Sequence, residues 1–344
     1  MSTSFRWGIL ATARINDSVV PALQASRGNA VVALASRSHD KADEAATRLN
    51  VPRAHGSYDA LLADPDVDIV YLPLPNDLHA DWAVRCLDAG KHVLIEKPIA
   101  LTTDEVDTII AAARRNGRLV MEGFMYRHTP RWQRLIEIVR SGAIGEPRVI
   151  RLGFAYRFPA SWESTVRFAD VPGAGVMWDM GCYAVNMARG VLGVEPREAA
   201  AIKGSRPGIA VDTSVTGLLS FPGATATFSV GFDYVNPPAQ VEVIGTEGWV
   251  ALAGTVLNRT VPSKLLIHSG PGHAYEAAEG PQVEEFETVN PYQLEVEHFA
   301  DAIRESSPLR WGLDDARANT AVLEAVLASM REQRPVRVAG QPVG

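Results

Sequence analysis

From Arg6 to about Gly123, apolar runs of strand length alternate with helical patterns, the texture produced by repeated βα units on a parallel sheet. The runs predict strands at Arg6–Leu10, Ala30–Ala35, Ile69–Leu72, His92–Glu96 and Arg118–Met121. Between them, Asp40–Leu49, His79–Ala89 and Asp104–Asn116 space their apolar residues by three and four, which gathers those side chains on one helix face. Thr102 and Thr103, followed by Asp104 and Glu105, mark a helix start. This half is predicted to be α/β, a doubly wound parallel sheet.

Beyond Phe124 the texture changes. One helix, Thr129–Ser141, precedes strand-like runs at Arg148–Tyr156, Ala199–Lys203, Thr213–Phe221, Thr225–Asp233 and Gln240–Ile244. Turn residues punctuate these runs and no helical pattern separates the last three, so a mostly antiparallel open sheet with flanking helices is expected, an α+β domain. Two further helices, Tyr292–Arg304 and Asp314–Met330, precede a Pro/Gly tail expected to be loosely ordered. The predicted division is residues 1–123, 124–334 and a tail at 335–344.

Composition narrows the function classes. A chain of 344 residues exceeds what one core usually serves. At 47% hydrophobic and 21% charged it falls in the globular range. The net charge of −7, with both signs interspersed, offers no basic footprint for nucleic acid. Cys86 and Cys182 belong to no CxxC or Cys/His cluster, and the eight histidines show no HxxxH or HxH spacing, so neither a disulfide framework nor a metal site is expected. No segment reads as a signal peptide or membrane span, and a reducing cytoplasm is expected.

Candidate chemistry lies where the predicted parallel strands end, the ligand edge of open α/β sheets. After the first strand the chain reads Ala11-Thr12-Ala13-Arg14-Ile15-Asn16, with none of the glycines of the G-x-G-x-x-G fingerprint. The small side chains of Ala11 and Ala13 still let backbone amides approach a pyrophosphate; a tight turn that binds nothing is the alternative. The second strand runs into Ser36-Arg37-Ser38 with no acid for the ribose hydroxyls of NAD. Arg37 can pair with a 2′-phosphate, which favours NADP and leaves NAD as the alternative cofactor; it can equally be a solvated surface residue. Leu72-Pro73 opens a rigid loop reaching His79, in which Asn76 either touches the cofactor or N-caps a helix.

The fifth run leads into Glu96-Lys97-Pro98, a lysine before a proline that fixes the backbone and is a candidate cis residue. A second cluster, Gly173-Ala174-Gly175 through Asp179 to Tyr183, is a glycine-bearing turn entering a helix, with Asp179 and Tyr183 on one face. Lysine, aspartate and tyrosine suit a dehydrogenase: hydride moves at carbon while a proton moves at oxygen, and a phenol near a lysine cation has its pKa lowered toward the working range. Each alone also has a structural reading, as a surface ion pair, a helix cap or a core tyrosine. Cys182 is read as a packed side chain, since it has no evident base.

Trp7-Gly8-Ile9-Leu10 with Thr12-Ala13-Arg14-Ile15, Ala35-Ser36-Arg37, Glu96-Lys97-Pro98, Glu122-Gly123-Phe124-Met125-Tyr126-Arg127 and Asp179-x-Gly181-x-Tyr183 together resemble the glucose-fructose oxidoreductase/inositol dehydrogenase family (Gfo/Idh/MocA) in order and spacing over nearly the whole chain. Within it, the chain resembles NADP-dependent aldose (xylose-type) dehydrogenases, dimeric dihydrodiol dehydrogenases and 3-ketosugar reductases. The resemblance implies an N-terminal Rossmann domain and catalytic Lys97, Asp179 and Tyr183, with the tyrosine as proton donor or acceptor. It also implies cofactor contacts from Arg167 and Trp162, and a homo-oligomer, dimer or tetramer, formed through the C-terminal sheet. The candidate cofactor set is thus Ala11, Thr12, Ala13, Arg14, Ile15, Ser36, Arg37, Leu72, Pro73, Asn76, His79, Glu96, Lys97, Met125, Trp162 and Arg167. Ala11, Ala174 and the bulky Trp178 depart from the family pattern.

The expected activity is NADP-dependent hydride transfer at a hydroxyl or carbonyl carbon of a sugar or polyol, as an aldose 1-dehydrogenase or keto-sugar reductase. Tyr156, Tyr292 and His298 are further candidates to hold the substrate. Alternatives are a reductase of a nucleotide-linked 3-ketosugar and a non-catalytic dinucleotide sensor.

Overall fold

Strands buried on both faces read as continuous apolar runs, and these runs build the first sheet. The computed structural model describes residues 4–236, 239–254, 262–270 and 280–341. Among them, β1 (Phe5–Leu10), β2 (Asn29–Ala35), β3 (Arg53–His55), β4 (Ile69–Leu72), β5 (His92–Glu96) and β6 (Val120–Gly123) form a sheet in the order β3-β2-β1-β4-β5-β6. Every pairing in it is parallel. The crossovers carry α1 (Asn16–Ala25), α2 (His39–Arg48), α3 (Tyr58–Leu62), α4 (His79–Asp88) and α5 (Thr103–Asn116). Strand order reverses between β1 and β4, which makes the carboxyl ends of these two strands the switch point where such sheets bind ligands.

Local chemistry sets the element boundaries. Thr102 and Glu105 close a capping box at the start of α5, and Gly117 at φ 60° stops it. The next two residues are still spent on that stop: the Arg118 amide bonds to the Ala113 carbonyl and the Leu119 amide to His92 Nδ1. The strand expected from Arg118 therefore begins at Val120. β3 and α3, of three and five residues, are too short to leave a periodic signal.

The second sheet alternates buried and exposed positions, as a sheet with one covered face must. In the second half of the chain come α6 (Pro130–Arg140), β7 (Pro147–Ala155), α7 (Cys182–Leu192), β8 (Glu198–Gly204), β9 (Ser214–Phe221), β10 (Ala224–Gly231), β11 (Ala239–Gly245), β12 (Gly248–Ala253), β13 (Ser263–Ser269), β14 (Gln282–Phe286) and β15 (Val336–Arg337). Among the described residues the order is β14-β13-β12-β11-β7-β10-β9-β8-β15, antiparallel except for the parallel pair β7 and β10. Gly217 is required on β9 because a Cβ there would collide with the buried Phe228 ring. Arg134 of α6 holds Glu284 of β14 in a bidentate pair, both N–O distances 2.9 Å.

The chain divides into two compact units, Met1–His128 with Asn290–Thr320, and Thr129–Val289 with Ala321–Gly344. This differs from a linear cut after Gly123, because α8 (Pro291–Glu305) and the start of α9 (Leu313–Glu332) group with the first unit. The reason is apolar pairing: Phe299 of α8 is fully buried and its ring meets that of Trp7 on β1 edge-on at 6.1 Å. The segment expected to be a loose tail differs too. Val336 and Arg337 pair with Ala199 and Glu198 of β8, and Val338 is buried, since the free edge of β8 offers hydrogen-bonding groups that a tail can satisfy. No described helix is long and apolar enough to cross a membrane.

Candidate active site

In the first unit the candidate residues collect where parallel strands end. Directly after β1, Ala11 takes φ 115°, a conformation that suits glycine and costs an L-residue about 1–3 kcal/mol. Two bonds hold it there: its amide donates to the Ala35 carbonyl at 3.1 Å, and the Asn16 side-chain amide donates to its carbonyl at 2.8 Å. The backbone thus keeps the course a glycine would allow, although the glycine is missing. Thr12 and Arg14 are exposed and Ala13 and Ile15 half-buried as the chain tightens into α1, whose first turn has no side-chain cap. An uncapped helix start with small residues before it can take an anionic group.

After β2, Ser36 is buried and its hydroxyl accepts from the Ser38 amide at 3.4 Å, while Arg37 is exposed. The Arg37 guanidinium hydrogen-bonds the Tyr58 phenol; burial raises the pKa of that phenol, and the arginine draws it back. After β4, Leu72 and Pro73 are buried and Asn76 opens a 3-10 turn that runs into α4. Neither that turn nor α4 has a side-chain N-cap, so Asn76 is not the capping residue that its type allowed.

His79 is fully buried, with Nδ1 2.7 Å from the Pro98 carbonyl and Nε2 2.8 Å from the Leu74 carbonyl. It therefore staples the loop after β4 to the turn after β5. Burial, with the charge of Lys97 adding to it, holds the ring below the usual histidine range against the pull of the two carbonyls; the neutral ring donates to one carbonyl at a time.

Lys97 is half-buried, and its bond to Pro98 is cis. Both sides of this turn are pinned. Glu96 accepts from the Tyr71 hydroxyl at 2.6 Å, and the Ile99 amide donates to the buried Glu122 carboxylate at 2.8 Å. Met125 is buried in the short turn after β6, beside Arg127, which pairs with Asp315 at 2.7 Å. Tyr292 is buried on α8, and the His298 ring packs against that of His128 at a tilt of 43°, with centroids 4.9 Å apart. Both belong to the packing of this unit, unlike the exposed Tyr156.

In the second unit, residues Met177–Gly181 form a π-helix leading into α7, where the sequence predicts an ordinary helix. π turns of this kind often mark functional sites. Asp179 lies within it and accepts from Arg167 Nε at 2.8 Å; Tyr183 is buried in the first turn of α7. Trp162 packs on Phe158, centroids 4.8 Å apart. Arg206 secures this segment, pairing with Glu163 at 2.8 Å and with Asp233, and donating to the Phe158 and Phe232 carbonyls.

The support that sequence reasoning missed is Asp212. Its Oδ2 accepts from the Met177 amide at 2.7 Å, and its carbonyl from the Val176 amide at 2.9 Å. Gly175, at φ 95°, has no room for a Cβ because the Asp212 carboxylate occupies that space, and Gly181 is open for the Met177 side chain in the same way. Burial raises the Asp212 carboxyl, and the amides it accepts from oppose that rise. No local signal marks this aspartate, which lies 35 residues from its partner. Asp212→Ala is expected to leave the Met177 amide unsatisfied, at a cost of about 1–3 kcal/mol. The loss is read as a lowered Tm, and a variant that melts with the wild type would remove Asp212 from the support of this turn.

The structure thus brings Ala11 to Ile15, Ser36, Arg37, Leu72, Pro73, Asn76, Glu96 and Lys97 to one sheet edge in the first unit, with His79 beneath them. It brings Arg167 to Asp179, with Tyr183 close by in sequence, in the second. A parallel sheet with a nucleotide-type edge, joined in sequence to a lysine turn and an Asp/Tyr helix, defines a dinucleotide-dependent oxidoreductase class. Residues 5–124 match an oxidoreductase family with an NAD-binding Rossmann fold, and residues 132–251 match the GFO/IDH/MocA C-terminal domain. The chain belongs to this GFO/IDH/MocA oxidoreductase family. It is 36% identical to D-xylose 1-dehydrogenase (NADP(+)) 2 of Haloferax volcanii over 94% of this chain and 96% of that protein. Among solved structures it is similar to aldose-aldose oxidoreductase from Caulobacter crescentus complexed with glycerol, with TM-score 0.86, 27% identity and coverage of 97% and 99% of the two chains. It is equally similar to a 3-ketoreductase from Actinomadura kijaniata in complex with NADP and TDP-benzene, with TM-score 0.86, 27% identity and coverage of 95% and 98%.

Proposed function

We propose that this chain is an NADP-dependent dehydrogenase or reductase acting on a hydroxyl or carbonyl carbon of a sugar or polyol. The observation that carries the reading is an exposed Arg37 on the same sheet edge as Lys97, with no acid at the end of β2. The donor set fits the cofactor: Arg37 suits a 2′-phosphate and the uncapped start of α1 a pyrophosphate, with Thr12, Asn76, Trp162 and Arg167 as further contacts. When bound, the nicotinamide supplies or accepts the hydride. Lys97 and Tyr183 orient the reacting oxygen and move its proton, and Asp179, held by Arg167, orients the substrate. His79 and Met125 support the cofactor edge from within the core. The xylose dehydrogenase relative and the NADP-bound 3-ketoreductase support both cofactor and substrate class.

The first unit serves the cofactor and the second the substrate and self-association. On the nine-stranded sheet the large apolar side chains Ile202, Leu218 and Val283 are exposed, and the cross-strand row from Leu218 to Val283 carries the Arg151–Glu242 ion pair between them. A mixed face of this kind fits a second copy of the chain, and sedimentation of the purified protein as a monomer would refute it. The buried thiols of Cys86 and Cys182 fit a cytoplasmic setting.

The test is absorbance of the reduced nicotinamide, with NADP⁺, NADPH, NAD⁺ and NADH offered in turn against aldoses, inositols, dihydrodiols and keto-sugars. Substrate-dependent turnover preferring NADP(H) is expected. Turnover only with a nucleotide-linked 3-ketosugar would narrow the substrate to that class. NADPH binding without turnover on any of these compounds would overturn catalysis in favour of a dinucleotide sensor.

A further inference from the structure

Glu295 is a buried carboxyl that neither the cofactor edge nor the proposed chemistry uses. It sits on α8 with 1% of its surface exposed, and its Oε1 has no hydrogen-bond partner. The charged groups facing it are Glu96, at the end of β5 immediately before Lys97, and Arg127 from the turn after β6, which is itself paired with Asp315 at 2.7 Å. From β4 comes Tyr71, fully buried, whose hydroxyl donates to Glu96 Oε1 at 2.6 Å. Burial, the nearby Glu96 charge and the bond to Glu96 all raise the Tyr71 phenol, so it stays a donor. Tyr292, on α8, also faces Tyr71.

A fully buried carboxyl with an unsatisfied oxygen, facing a second, half-buried carboxylate, does not ionise alongside it. We propose that Glu96 and Glu295 hold a single negative charge between them, and that this pair, with the Tyr71 hydroxyl, positions the turn that carries Lys97. Glu96 has a donor in Tyr71, so the charge rests on Glu96 and the proton on Glu295. Burial foremost, and then Glu96, push Glu295 well above the usual carboxylate range, with Arg127 opposing them. Glu295 is therefore a positioning residue. Its catalytic consequence rests on the role of Lys97 proposed above, whereas the shared charge does not.

Linkage gives the sign. Above the ordinary carboxyl value of 4.5 the unfolded chain releases the Glu295 proton while the folded chain keeps it, so the folded state binds more protons and stability falls as pH rises. Glu295→Gln, neutral and nearly isosteric, lacks that dependence. Its Tm relative to the wild type should therefore rise steadily from about pH 5 to about pH 8. Parallel Tm curves for the two proteins would overturn the shared charge.

Positioning is read from the rate at which Lys97 is reductively methylated, followed by peptide mass spectrometry. Glu295→Gln should label within about twofold of the wild type and Glu295→Leu should differ by about fivefold or more; wild-type labelling in both would overturn positioning. Both readouts hold without any turnover. If they come out as expected while no substrate is turned over, the catalytic reading falls and the carboxyl pair stands. If Glu295→Leu does not fold, a labelling rate in Glu295→Gln that departs more than about fivefold from the wild type overturns the neutral-acid role.

Discussion

Lys97→Ala lowers kcat by roughly 10²–10⁴-fold, the range that one positioned proton-transfer or charge-stabilising group contributes. The expectation rests on how much of the fold is devoted to this one turn. Its carbonyl side is stapled by His79, and Glu96 and Glu122 hold the flanking residues. These anchors are made by His79, Glu96 and Glu122, so the alanine variant keeps them while losing the amine. Its Tm and its NADPH affinity should stay close to those of the wild type. Lys97→Arg restores little, because a guanidinium keeps its charge but cannot give up a proton at working pH. Steady-state kinetics with the substrate found in the absorbance screen decide the matter. A kcat within a few-fold of the wild type would take Lys97 out of the chemistry.

Arg37→Ala raises the KM for NADP⁺ roughly 10–100-fold and leaves that for NAD⁺ nearly unchanged, reversing the cofactor preference. A charge-assisted bond to a phosphate is worth about 1.5–3 kcal/mol, and about 1.4 kcal/mol is tenfold in affinity. Arg37 is exposed at the end of β2, with the buried Ser36 hydroxyl beside it and the Tyr58 phenol as its hydrogen-bond partner within the protein. The tyrosine restrains the guanidinium without neutralising it, which leaves the positive charge for a ligand. Salt provides a check, since raised ionic strength should weaken NADP⁺ binding by the wild type more than by the variant. If both proteins keep the same cofactor preference, the 2′-phosphate is read by another group.

The βα alternation of the first unit was legible because its strands and helices are local patterns. Ile69–Leu72 and His92–Glu96 fall where their apolar runs place them, and Thr102 to Glu105 closes the capping box that its residue types announce. Ala11 is a mixed case: residue type argued against a glycine-like turn, yet the backbone adopts one, because bonds from Ala11 to Ala35 and from Asn16 to Ala11 outweigh the local preference. The π turn around Asp179 left no trace in the hydrophobic spacing. It follows from the Asp212 carboxylate and from the space that Gly175 and Gly181 leave open.

What the sequence by itself determined is the order of elements and the chemistry available at their ends: Arg37 after β2, Lys97 after β5, Asp179 and Tyr183 after a glycine turn. Those depend on side-chain periodicity, turn residues and motif spacing, which act over a few residues. Only the tertiary structure decided which distant groups hold them. α8 returns to pack Phe299 on Trp7, Glu295 of that helix faces Glu96, and Asp212 caps a turn far upstream. Such pairings are made by burial and by the need of buried polar groups for partners, forces that act through space and leave no period along the chain.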